Sequence, residues 1–244
     1  MSEKFDPREI YLEIGEKKVF AVSAHWPGWA RFGKDETSAI QAMISSSERY
    51  ADVIKETGLD FNPPQLHADF MIIGRLAGNL TTDFGAPDAL FPDDWELLSL
   101  DEIERYQAII SACWKAFDRA IETAAGRELR KGPRGGGRDL NRMIRHVIEA
   151  EESYLRALGV NPFADKETSE QEKIIHLRKT ALEGIELSAS GKIERIGPRG
   201  GKRWPARFFA RRVAWHALDH AWEIEDRLIT KNNPLTLHLK GAVN

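Results

Sequence analysis

The sequence predicts an α+β protein, a small ββαβ unit followed by a four-helix bundle. Two strand-like runs, one helix and a third apolar run succeed one another before residue 80. From residue 99 on, four long segments repeat apolar side chains at 3/4 spacing, each with its own start signal. The 244 residues, 42% hydrophobic and 30% charged, suffice for one large or two ordinary domains with a real core.

The first strands read as Ile10–Ile14 and Lys18–Ala24, joined at Gly15-Glu16. Trp26-Pro27-Gly28 is a turn signal, and Gly33 precedes Asp35, a helix N-cap. The helix runs from Glu36 to Glu56 on Ile40, Met43, Ile44, Tyr50, Val53 and Ile54, and Gly58 ends it. After Pro63-Pro64, Asp69–Leu76 reads as a buried strand. Residues 83–98 form an acidic connector between a first domain, 1–82, and the bundle, 99–234; residues 235–244 are a tail, with a short alternating run at its start.

The first bundle helix opens on Ser99 with Glu102 three residues on, a capping box, and carries Ile103, Tyr106, Ile110, Cys113 and Phe117 on one stripe. The second runs from Arg138 to Leu158, with Leu140, Ile144, Val147, Tyr154 and Leu158 as its core side. The third is capped by Ser169 and runs to Ser188. The fourth begins at Pro205, a favoured first-turn residue, and ends near Asn232-Asn233-Pro234.

Charge is spread unevenly around a net −3. Asp83–Glu104 holds eight acidic residues and no basic one, whereas Lys192–Arg212 holds eight basic and one acidic. The net charge argues against a nucleic-acid binder. The single cysteine, Cys113, excludes an internal disulfide and a cysteine-based zinc cage, and its place on the core stripe makes it packing. No apolar run reads as a signal peptide or membrane span, so a cytoplasmic protein with no membrane contact is expected.

The chemistry concentrates in the fourth helix. His216 and His220 are four residues apart, hence on one helix face, and Phe209, Val213 and Ile224 place that face inward. Two imidazoles so placed can share a metal ion. His146 on the second helix is the third ligand that a bundle can bring to them. Three protein ligands leave positions for water or substrate, the count of a catalytic site. Imidazole suits zinc, nickel or iron, and affinity alone does not choose among them. Asp219, Glu223 and Glu149 are the carboxylates within a turn of these histidines. Each could orient an imidazole, and Glu149 and Glu223 are candidate general bases; the alternative is ordinary solvated charge, with Glu223 on Arg227. His25, His67, His176 and His238 read as surface or packing residues, and Trp204, Trp215 and Trp222 as core and interface anchors.

The phrase Gly-Pro-Arg-Gly-Gly occurs twice, at 132–136 and 197–201, just before the second and fourth helices. Glycine lets backbone N–H groups approach an anion. Arg134, Arg138, Arg199 and Lys202 are therefore a candidate site for an anionic ligand, such as the phosphate or carboxylate of a thiol cofactor; solvated loops, or loops facing the acidic connector, are the plainer expectation.

Two resemblances fit these patterns. Pro27, Gly28, Gly33, Asp35, Glu36 and Ala39 resemble the N-terminal pattern of HicB-like proteins over roughly residues 8–80. That family's antitoxins add a DNA-binding module, and this sequence shows none. One histidine on the second helix and His-x-x-x-His on the fourth resemble the DinB/YfiT-like superfamily over about residues 99–230. This second resemblance implies a four-helix bundle holding a divalent metal through His146, His216 and His220. Characterised relatives include metal-dependent thiol transferases, which points to a small-molecule or thiol substrate; a metal-bound water would instead serve a hydrolase, and the tryptophan-rich helices leave room for a homodimer. The alternatives are a non-catalytic interaction or antitoxin-like protein acting through the HicB-like unit, or nucleic-acid binding through the basic loops.

Overall fold

The computed structural model describes residues 5–131, 137–163 and 169–229. In chain order the strands are β1 (Glu9–Ile14), β2 (Val19–Ser23), β3 (Ala30–Gly33) and β4 (Met71–Ala77). The helices are α1 (Glu36–Ile54), α2 (Leu80–Phe84), α3 (Leu100–Ala124), α4 (Leu140–Leu158), α5 (Glu170–Ala189) and α6 (Ala206–Arg227). The α+β class holds: one mixed sheet lies in the N-terminal part, and the long helices follow it.

The sheet order is β3-β2-β1-β4, with β1 parallel to β4 and the other pairs antiparallel. A ββαβ reading therefore misses β3. Only four residues long, β3 is too short to show alternation, and its start lies against the Trp26-Pro27-Gly28 turn. The expected buried strand at 69–76 is also corrected. β4 begins at Met71, pairs among the described residues with β1 alone, and its side chains alternate between exposed and half-buried. A short apolar run does not by itself tell an edge strand from a covered one. β1 and β2 are the covered strands. Ile10, Leu12, Val19 and Ala21 face the main core, while Tyr11, Phe20 and Val22 on the other face pack with Trp215.

Two glycines explain how the sheet meets the helices. Gly28 has φ +94°, where an L side chain is strained, and a Cβ there would sit 3.2 Å from Cys113 Sγ and 3.4 Å from the Ala214 Cβ. The turn thus lies directly on α3 and α6. A Cβ on Gly33 would lie 2.4 Å from the backbone nitrogen of Ala39, so only glycine lets β3 pass the start of α1.

Helix starts follow the side-chain signals. Asp35 accepts the Ser38 N–H at 2.8 Å, Ser99 the Glu102 N–H at 3.4 Å, and Ser169 the Glu172 N–H at 3.2 Å. α4 is capped by Asp139, which accepts the Arg142 N–H at 2.8 Å, one residue beyond the expected start. Its core side is Met143, Val147, Leu155 and Leu158, with the carboxylates Glu151 and Glu152 also buried; Leu140, Ile144 and Tyr154 are half-buried. α6 starts after Pro205 as expected and ends at Arg227, short of the expected 232–234. The tail from 230 on lies outside the described residues.

The main core is continuous across the expected boundary at 83–98, taking in Ile10 and Met43 as well as Ile109, Leu155 and Ile224. The connector takes in the end of α2 and a 3-10 turn at Pro92–Trp95. It is fastened at both ends. The buried Glu13 carboxylate accepts the N–H groups of Asp88 (2.9 Å) and Ala89 (2.9 Å) and the Thr82 hydroxyl. Asp94 meets Arg211 of α6 with two bonds, 2.6 and 2.7 Å, both side chains buried. α6 is enclosed on nearly every side, with sixteen of its 22 residues buried. No helix among the described residues is long and apolar enough to cross a membrane.

Candidate metal centre

α4 and α6 run antiparallel. At one end the Trp204 N–H donates to the Ala157 carbonyl at 2.8 Å, and at the other Arg227 Nη2 donates to the Arg138 carbonyl at 2.9 Å. That pairing carries His146, in the first half of α4, to the middle of α6. The ring centroids of His146, His216 and His220 lie 4.7–5.1 Å apart. One ligand atom from each lies within 4.8 Å of the others, the one such group among the described residues. His216 Nε2 and His146 Nε2 are 3.3 Å apart. Two imidazole nitrogens on one tetrahedral ion at 2.0–2.1 Å stand about 3.3–3.4 Å apart, so this pair has the spacing of shared ligands.

His220 is oriented through its other nitrogen. Its Nδ1 lies 3.0 Å from Glu223 Oε2, which leaves Nε2 as the nitrogen free to ligate. Glu223 Oε1 accepts from Arg227 Nη1 at 2.6 Å. The same guanidinium donates through Nε to the Arg130 carbonyl at 2.8 Å and through Nη2 to Arg138, so all its faces are fixed. The bond to His220 holds the Glu223 carboxyl below the usual range, and Arg227 adds to this against the cost of burial. A carboxylate holding the far N–H of a ligating imidazole is the common supporting contact of histidine metal sites.

The other two rings are kept neutral. Burial, then the neighbouring His220 and His146, pushes the His216 pKa well below its ordinary value; burial and Arg138 lower that of His146. At neutral pH both carry a lone pair instead of a second proton, the form that binds metal. His216 Nδ1 is buried without a hydrogen-bond partner, and the ring is held by packing, with Tyr154 edge-on at 5.7 Å. His146 is half-buried, so the cluster opens toward solvent on the α4 side. The donor set is three imidazoles with no carboxylate, which leaves the charge of a divalent ion unbalanced and positions open. These residues fit a catalytic-type divalent site.

The remaining candidates part company. Asp219 pairs with Arg31 of β3 at 2.9 Å and so ties α6 to the sheet. Glu149 is exposed and its carboxylate has no hydrogen bond among the described residues. Glu223 makes both contacts read from the sequence, the imidazole and Arg227. The four cations of the candidate anion site are not seen together. Arg134 lies outside the described residues. Arg138 precedes α4, whereas Arg199 and Lys202 line a groove with Arg156 and Gly159 at the other end of that helix. Nineteen residues of helix separate them by roughly 28 Å.

The connector and the first turn of α3 take up much of the second basic stretch. Arg207 donates to Glu102 at 2.6 Å, Arg195 to the Trp95 carbonyl at 2.9 Å, and Arg212 to the Pro87 carbonyl. Burial raises the Glu102 pKa, but the Arg207 and Ser99 bonds outweigh it and leave it at about 2. Trp222 is stacked by Arg31 and Arg49, at 3.9 and 4.9 Å, and Trp215 meets Phe20 of the sheet, as interface anchors should. His25 pairs with Glu9 at 2.6 Å, His176 lies 3.3 Å from the Thr180 hydroxyl, His67 is exposed, and His238 is outside the described residues. Cys113 is fully buried and its thiol is pushed up to about 12. Arg212, whose charge reaches His216, was not singled out from the sequence; its spacing of four residues from His216 was the available signal. No family model matches this chain, and no curated protein or solved structure matches it either.

Proposed function

We propose that the chain is a divalent-metal-binding protein: a DinB-like four-helix bundle with His146, His216 and His220 as ligands, preceded by a HicB-like unit. The convergence of three ligand atoms within 4.8 Å, on two helices, carries this reading. Zinc, nickel and iron all suit the donors. A divalent ion held by three imidazoles lowers the pKa of water or thiol and stabilises developing negative charge, chemistry that serves a hydrolase or a thiol transferase. Within the chain, Glu223 and Arg227 orient His220, and burial keeps His216 and His146 unprotonated. The substrate class is a small molecule or thiol reaching the cluster from the His146 side.

Elemental analysis of protein purified without a histidine tag tests the reading. About one zinc, nickel or iron per chain is expected, and none in a His216→Ala/His220→Ala variant. A wild-type chain with no stoichiometric metal and no measurable affinity for zinc or nickel would overturn it.

A further inference from the structure

Where the sheet meets α6, three buried nitrogen donors have no acceptor. They are Arg211 Nε, Arg212 Nε and Trp215 Nε1, in residues 6%, 8% and 5% exposed. All three residues line one cavity of about 10 Å³, together with Pro87, Tyr11 and Trp29. A cavity of that size holds one small guest. The nearby acceptors each already take one donor: the Pro87 carbonyl takes Arg212 Nη1, Ser23 Oγ takes the Trp26 N–H at 3.2 Å, and the Trp29 carbonyl takes the Ser23 N–H at 3.0 Å.

Charge points the same way. Arg211 is balanced by Asp94, which meets both its terminal nitrogens. Arg212 makes no ion pair among the described residues, and its guanidinium lies between the rings of Tyr154 and Trp215 at 5.5 and 5.3 Å. Asp88 and Glu151, the carboxylates whose charge reaches Tyr154, are bonded elsewhere, to Asn79 at 2.9 Å and to Trp114 at 2.7 Å. A buried cation without a counter-charge is costly, and so is each unmet donor. A water molecule accepts only two hydrogen bonds, one short of the three donors, and carries no charge to balance Arg212. A small monovalent anion accepts three donors and cancels the charge.

We propose that the seam between the sheet and α6 is a binding site for a small monovalent anion of halide size, held by Arg212 with Trp215 and Arg211. The site is separate from the histidine cluster and does not depend on a metal there. The anion acts as a removable counter-ion that fastens the sheet to α6.

Bromide is the probe. Crystals grown in sodium bromide are expected to show an anomalous peak between Arg212 and Trp215. Thermal unfolding in chloride or bromide should give a saturable rise in Tm over sodium gluconate at matched ionic strength. Arg212→Met should abolish that rise. Should Arg212→Met fail to fold, Trp215→Phe keeps the ring and removes one donor, and the half-saturating halide concentration should rise about tenfold. Equal Tm in all three salts with no bromide peak at the seam, or bromide only at the histidines, would overturn the proposal in favour of a buried water.

Discussion

Two buried polar constellations sit one turn apart on the same helix, and they are built on opposite plans. The Asp94–Arg211 pair is closed, with each carboxylate oxygen meeting a guanidinium nitrogen. The histidine trio is open. Its rings converge, one nitrogen of His216 has no partner, and only His220 is held by a charged group. A closed pair is complete in itself and holds α6 to the connector. An open cluster is complete only with a guest. The difference separates a fastening from a candidate site on the same helix, where burial alone would rank them together.

The largest expected effect breaks the closed member. Asp94→Ala leaves Arg211 buried and uncompensated, and equilibrium denaturation should show a loss of about 3–5 kcal/mol. His216→Ala should lower the stability of metal-free protein far less while abolishing metal binding. Comparable losses from both would erase the distinction.

Glu151 is an intermediate case, a buried carboxyl with one bond from the Trp114 indole at 2.7 Å. Burial pushes its pKa up to about 7 from an ordinary 4.5, against the opposing pull of Arg178 and Trp114. The folded state therefore holds a proton that the unfolded state releases. Its contribution is fully present below about pH 4.5 and is lost as pH rises to about 7. Glu151→Gln should remove that slope and stabilise the protein at pH 8 by on the order of 2–3 kcal/mol relative to the parent. Denaturation curves from pH 4 to 8 read the difference; parallel profiles for the two proteins would count against a raised pKa.

A smaller effect sharpens the open member. Glu223→Gln and Arg227→Met should each weaken zinc affinity about 10–100-fold in a competition titration. Stability without metal should change little in Glu223→Gln. Unchanged zinc affinity in both would remove the orienting role from His220's partners. The smallest effect is expected at the far groove. Arg199→Ala and Lys202→Ala should shift stability by no more than about 0.5 kcal/mol and leave metal binding as it was. A marked loss of metal in either would reconnect that groove with the centre.

Much of this plan was legible in the sequence wherever one local rule decides. Ser99, Ser169, Pro205 and the i,i+4 histidines each act within a turn of helix, and each stands where its pattern put it. The misses depend on pairing between distant segments. β3 exists because four residues find β2, and β4 is an edge because no described residue pairs beyond it. Glu151 breaks the polar-outside rule on α4, and its burial follows from where α3 and α5 lie. Arg138 and Lys202 stand apart for the same reason, because the helix direction that separates them is not written in either loop.

The enclosure of α6 has a kinetic consequence. A helix with sixteen of 22 residues buried exposes its amides only when neighbours leave, so its hydrogen exchange should be among the slowest in the chain. Two of the three candidate ligands ride on that helix, and the third stands on α4, at the solvent side. Dissociation of a bound ion is then expected to be timed by small openings of α4 near His146 and not by fraying of α6. Off-rates should follow amide exchange around residues 140–148 as temperature is varied.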